Sequence, residues 1–139
     1  MTVFDDRYPG IGNLDPLLLR ALREAAAEAA TAGIRLYVNS GWRSPAFQNQ
    51  LRCQAVWTYR SESEAARWVT TADTSAHVSG HAVDLSRPAS SWLATYGAKH
   101  GLCQIYYNEP WHFELRPEAI EHGRSPMYPD PAHDPRMRR

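Results

Sequence analysis

Lysine is nearly missing from this 139-residue chain: of its fifteen basic residues only Lys99 is not arginine, and the arginines are scattered rather than clustered. Fifteen acidic residues bring the net charge to zero, so neither nucleic acid nor an acidic membrane surface is implied as a partner. Cysteine is scarce as well. Cys53 and Cys103 stand fifty residues apart and outside any CxxC pattern, which argues against a disulfide scaffold and against a thiolate metal site; free thiols or a single disulfide both remain open. No apolar run approaches the ~20 residues that span a bilayer, and the polar stretch from Met1 to Gly10 has none of the character of a secretory leader. The chain is expected to be a monomer that either works inside the cell or starts after a removed leader. Internal repeats are also absent.

What the chain does have is punctuation. Asp15 followed by Pro16 caps and opens a helix predicted over Asp15–Ala32, with Leu18, Leu22, Ala25 and Ala29 at helical spacing and Gly33 ending it. Ile34, Leu36 and Val38 alternate with polar neighbours as in a half-buried strand. Ser44 and Pro45 open a second helix, so Arg43 sits at a strand-to-helix corner. Ser61 and Glu64 have the spacing of a capping box for a short helix over Glu62–Val69. A strand over Ala82–Leu85, a helix over Ser90–His100, two strands over Leu102–Tyr107 and Trp111–Leu115, and a short helix from Pro117 to Gly123 complete one domain over residues 1–124. Four prolines and the terminal arginines make residues 125–139 read as an extended or disordered tail. Helices and short strands in this order predict an α+β fold with a small antiparallel sheet flanked by helices.

Two stretches carry chemistry, SAHVSGHAVD at 75–84 and EPWHFE at 109–114. Two imidazoles and one carboxylate make a three-ligand set for zinc that leaves a fourth position for water, and a further carboxylate beside that water supplies acid/base catalysis. Asp84 interrupts an apolar run, and a buried charge needs a partner or a metal. His112 and Glu114 share one strand face while Phe113 and Leu115 share the other. Gly80 lets the backbone turn between His77 and the strand. His81 is an alternative to His77, but strand alternation sets it opposite Asp84 and favours a packing or supporting role. Glu109, just before the His112 strand, can reach the water without ligating the metal. Arg43, beside Gly41 and Ser44, suits a cation that grips a carboxylate or polarises a carbonyl.

These motifs, SxHxxGxAxD and ExWH preceded by SGWRS, resemble those of the LAS metallopeptidases, which include lysostaphin-type enzymes, D-Ala-D-Ala peptidases and the hedgehog domain. The similarity is strongest to the vancomycin-resistance-type D,D-carboxypeptidases and dipeptidases and spans roughly Asp15 to Leu115. It implies a hedgehog/D,D-peptidase-like fold, a zinc ion (Zn2+) held by His77, Asp84 and His112, and Glu109 as general base and then acid. It further implies Arg43 as the transition-state cation, with Ser75 and Gln48 contacting substrate. The implied activity is zinc-dependent hydrolysis of a D-amino-acid-containing peptidoglycan stem peptide, foremost as a D-alanyl-D-alanine carboxypeptidase. An endolysin-like L-Ala-D-Glu endopeptidase, a dipeptidase for free D-Ala-D-Ala and a zinc-containing binding module without catalysis are the alternatives. The presence of Glu109 weighs against the last of these.

Overall fold

A computed structural model describes residues 1–137. The N-terminal residues make one turn of helix, α1 (Pro9–Gly12), and lead into α2 (Pro16–Thr31). The Asp15 carboxylate accepts the backbone N–H groups of Leu17 and Leu18, and losing such a cap costs about 1 kcal/mol. Then follow β1 (Val38–Ser40), α3 (Pro45–Tyr59), capped by Ser44, and α4 (Glu62–Ala66), capped by Ser61. The second half holds β2 (Ala82–Leu85), α5 (Ala89–Tyr96) running into a 3₁₀ turn (Gly97–His100), β3 (Leu102–Gln104), β4 (His112–Leu115) and α6 (Ala119–His122). Two further 3₁₀ turns, Pro131–His133 and Pro135–Met137, follow.

The sheet is antiparallel throughout, in the order β1-β2-β4-β3. Side chains alternate between its faces, and the central pair divides sharply. Val83, Leu85 and Phe113 join Leu18, Leu22, Ala25 and Ala29 of α2 and Leu93 of α5 in one apolar core. Burying a side chain such as Phe113 or Leu22 completely contributes about 1.5–3 kcal/mol each. On the opposite face Asp84 pairs across from His112, and Ala82 from Glu114.

Three expectations are revised by the structure. The first strand lies later than Ile34–Val38, because β2 is short and its ladder meets only Val38 and Ser40. The strand after Gly101 ends at Gln104, opposite Phe113; beyond it Tyr106 forms a parallel bridge with Tyr128. Residues 125–137 are therefore not an extended tail. Tyr128 donates to the Ile105 carbonyl and accepts from the Tyr107 N–H. Asp130 caps the next turn, accepts a hydrogen bond from Arg67 and is nearly fully buried. Two of the four prolines that suggested disorder, Pro131 and Pro135, instead open the two 3₁₀ turns, where a fixed φ and a missing N–H are harmless. Arg138 and Arg139, also part of that expectation, lie outside the described residues. Cys53 is exposed, Cys103 is buried, and both are free.

Candidate metal centre and cleft

Two glycines place the first candidate ligand, His77. Gly80 adopts φ +81, and a Cβ there would lie 2.8 Å from the Asn13 carbonyl; its own carbonyl accepts the Asp15 N–H. At Gly41 a Cβ would come within 2.0 Å of the Gly10 carbonyl oxygen, so only glycine permits that approach. The turn carrying His77 is tied to this corner twice. Arg43 N–H donates to the His77 carbonyl, and His77 Nδ1–H donates to the Gly41 carbonyl at 2.8 Å. That second bond fixes the tautomer and leaves the Nε2 lone pair facing Asp84 Oδ1 at 3.3 Å.

His112 arrives from the other side. Its Nε2 donates to Glu114 Oε2 at 2.8 Å, and its Nδ1 lies 3.3 Å from the same Asp84 oxygen. One ligand atom each from His77, Asp84 and His112 thus falls within 4.8 Å of the others. Asp84 Oδ2 is held by Arg43 at 3.1 Å, whereas Oδ1 is buried with no hydrogen-bond partner among the described residues. A buried carboxylate oxygen without a donor is costly, and here it lies between two imidazole nitrogens. Two imidazoles and a carboxylate, each steadied through its other polar atom, fit a zinc ion.

Electrostatics follow from this crowding. Burial alone would raise the Asp84 carboxyl, but His77 and His112 outweigh it and hold it far below the usual range. Burial lowers His77, with Asp84 only partly offsetting it. Burial would lower His112 too, yet the Asp84 and Glu114 carboxylates prevail and lift it to about 10. Glu109 is pushed up to about 7, chiefly by burial and further by the Asp84 charge, against the pull of His112 and Arg43. A carboxyl poised near neutrality can both take and return a proton.

The ligand cluster opens into a cleft of about 300 Å³, whose lining also includes Arg43, Gln48, Ser75, Glu109 and Trp111. Arg43 donates to Ser40, Gln48 and Asp84. Gln48, almost fully buried, accepts from Arg43 and donates to the Thr70 carbonyl. Ser75 Oγ accepts the Val78 N–H. All the residues anticipated for this site therefore line one cavity. His81 does not: it is exposed, with Nδ1 on Ser79 Oγ and Nε2 3.7 Å from Asp15, so it neither packs nor supports the cluster. The sequence reading missed Glu114 as the support of His112, although its place two residues along the same strand face was the available signal. It also missed Tyr106, whose ring lies 5.1 Å from that of His112, and the C-terminal wall of Pro131 and Met137, for which no local signal exists.

Comparison with known proteins adds a second line of argument. The model of the VanY family, D-alanyl-D-alanine carboxypeptidase, matches residues 12–104. No curated protein sequence matches the chain. Among solved structures, the chain is similar to VanYB in complex with D-alanine-D-alanine, with 24% identity and a TM-score of 0.70 over 79% of this chain and 74% of that one. It is similar to a variant of the VanY D,D-pentapeptidase from a VanB-type resistance cassette in complex with Zn(II), with 24% identity and a TM-score of 0.69 over 79% and 75% of the two chains. The L,D-carboxypeptidase DacB from Streptococcus pneumoniae follows at 23% identity and a TM-score of 0.62, over 80% and 71%. At such identities the likeness is one of fold.

Proposed function

The chain belongs to the VanY family of D-alanyl-D-alanine carboxypeptidases, and on that premise we propose that it is a zinc-dependent peptidase removing the terminal D-alanine from peptidoglycan stem peptides. The observation that carries this reading is the unpartnered Asp84 Oδ1 between His77 and His112, in a cleft they share with Glu109 and Arg43. A zinc ion bound by His77, Asp84 and His112 supplies Lewis acidity toward a scissile carbonyl and toward water.

The chain's own groups do the rest. Glu109 accepts the proton of the attacking water and returns it to the departing amine, a transfer its raised pKa suits. Arg43 has three of its five N–H donors engaged by Ser40, Gln48 and Asp84; the remaining two serve the substrate carboxylate or the developing oxyanion. Gln48 holds Arg43 in place through its carbonyl and is itself anchored on the Thr70 carbonyl, which leaves one amide N–H toward the substrate. Ser75 Oγ, whose lone pair is engaged by Val78, keeps its O–H to donate to the peptide.

The test is to incubate purified protein, with and without chelation and zinc restoration, with a D-Ala-D-Ala-ended pentapeptide, the corresponding tetrapeptide and free D-Ala-D-Ala. Mass spectrometry should show loss of one D-alanine from the pentapeptide, abolished by chelation and restored by zinc. Cleavage confined to the tetrapeptide would make the enzyme an L,D-carboxypeptidase, and cleavage indifferent to chelation would remove the zinc reading.

A further inference from the structure

Behind His112, on the side away from Asp84, lies a buried ionic network that the family match, ending at Gln104, does not reach. Glu114 is 1% exposed. Its Oε2 accepts the His112 Nε2–H, while Arg136 contacts both of its oxygens, Nη1 at 2.8 Å and Nη2 at 3.3 Å. Arg116 adds a longer contact of 3.3 Å. Arg136 is itself aimed by Asp134, fully buried, through Nε and Nη2, and Asp134 also accepts the Tyr106 hydroxyl at 2.6 Å. The Tyr106 ring then bounds His112 from the side.

A metal-ligating imidazole is oriented, and its tautomer fixed, by whatever holds its other nitrogen. His77 has a backbone carbonyl for this purpose, which cannot move independently. His112 has a side-chain carboxylate, and a side chain keeps its place only through the groups that hold its other oxygen, here chiefly Arg136. We propose that Arg136 is a positioning residue of the metal centre: it locks Glu114 against His112 Nε2 and thereby keeps His112 Nδ1 turned toward Asp84. Residues 130–137 are then a working part of the site. This rests on the zinc peptidase reading above.

A merely structural clasp would behave differently, and the molecule contains a control. Arg67 ties the same segment down through Asp130 at 2.9 Å without touching Glu114. Zinc affinity is measured by competition with a chromophoric chelator for wild type, Arg136→Ala, Arg136→Lys and Arg67→Ala, alongside Tm. After metal removal, nitrogen-15 NMR follows the His112 Nε2–H. Arg136→Ala should bind zinc about 10–100-fold more weakly and lose the protected Nε2–H signal. Arg136→Lys should recover part of both, because an ammonium keeps the charge but not the fork. Arg67→Ala should lower Tm while zinc affinity stays within about twofold. If Arg136→Ala fails to fold, the Lys variant makes the same comparison at smaller size. Wild-type zinc affinity in the Arg136 variants, or an equal loss in Arg67→Ala, overturns the proposal. A wild-type protein that binds no zinc, with the Nε2–H signal still dependent on Arg136, would overturn the zinc reading and leave the positioning role standing.

Discussion

The two imidazoles of the ligand cluster are held by different means. On the side of Gly41 and Gly80, His77 is fixed by backbone: a carbonyl acceptor, a tight corner and two close main-chain approaches. On the side of β4, His112 is fixed by side-chain charge, through Glu114 and the two arginines behind it. The first design tolerates changes of charge but not an added methyl group. The second tolerates small shifts in shape but not a lost charge. A cluster built both ways has its geometry set from one side and its electrostatics from the other.

Removing either imidazole outright gives the largest effect. His77→Ala and His112→Ala should each lose stoichiometric zinc, read by elemental analysis, together with all measurable peptidase activity; zinc retained in either variant would strike that side from the ligand set. Next comes Glu109→Gln, which touches neither support. Turnover should fall about 10²–10⁴-fold with zinc content and KM retained, as expected when only a transition-state interaction is lost. A parallel rise in KM would shift Glu109 toward binding.

Gly41→Ala tests the backbone side alone. Its Cβ forces the corner away from Gly10, at a cost of about 1–3 kcal/mol in denaturant unfolding, and zinc affinity should weaken while the His112 Nε2–H signal is unchanged. If that signal vanished too, the two supports would not be separable. The smallest effect lies in the C-terminal segment. Burial would raise Asp130, but its bonds to His133 and Arg67 prevail and depress it. The native state therefore releases this proton at lower pH than the unfolded chain, so its contribution is complete above about pH 4 and fades as pH falls through the native pKa. Asp130→Asn should cost about 1–2 kcal/mol at pH 7 and markedly less near pH 2, measured by denaturant titration at both values. A pH-independent difference would assign the loss to packing.

Legibility in the sequence divides along the same line. Asp15-Pro16, Ser44-Pro45 and Ser61 with Glu64 are local signals, and each stands at a helix start. Alternation within each strand is also local, setting Asp84 against Val83 and His112 against Phe113, while the grouping of these two with His77 comes from the resemblance of the motifs rather than from the pattern. The support of His112 could not. Glu114 and Arg136 are joined over 22 positions by a chain whose prolines and arginines suggest disorder until Tyr128 is found bridged to Tyr106, just beyond β3. The late start of β1 escaped for a related reason: strand length is decided by the partner, and β2 is only four residues long.

The pairing of β2 with β4 has a consequence for how damaged molecules behave. Because alternate residues face opposite ways, sliding one strand by a single position would turn Val83 into the cleft and Asp84 into the apolar core. A molecule in the slipped register keeps both imidazoles but loses the carboxylate between them, so it should be inactive rather than slowed. A partly inactivated preparation should accordingly consist of fewer working enzymes at full speed. Active-site titration would then fall in step with total activity, leaving the rate per competent site constant.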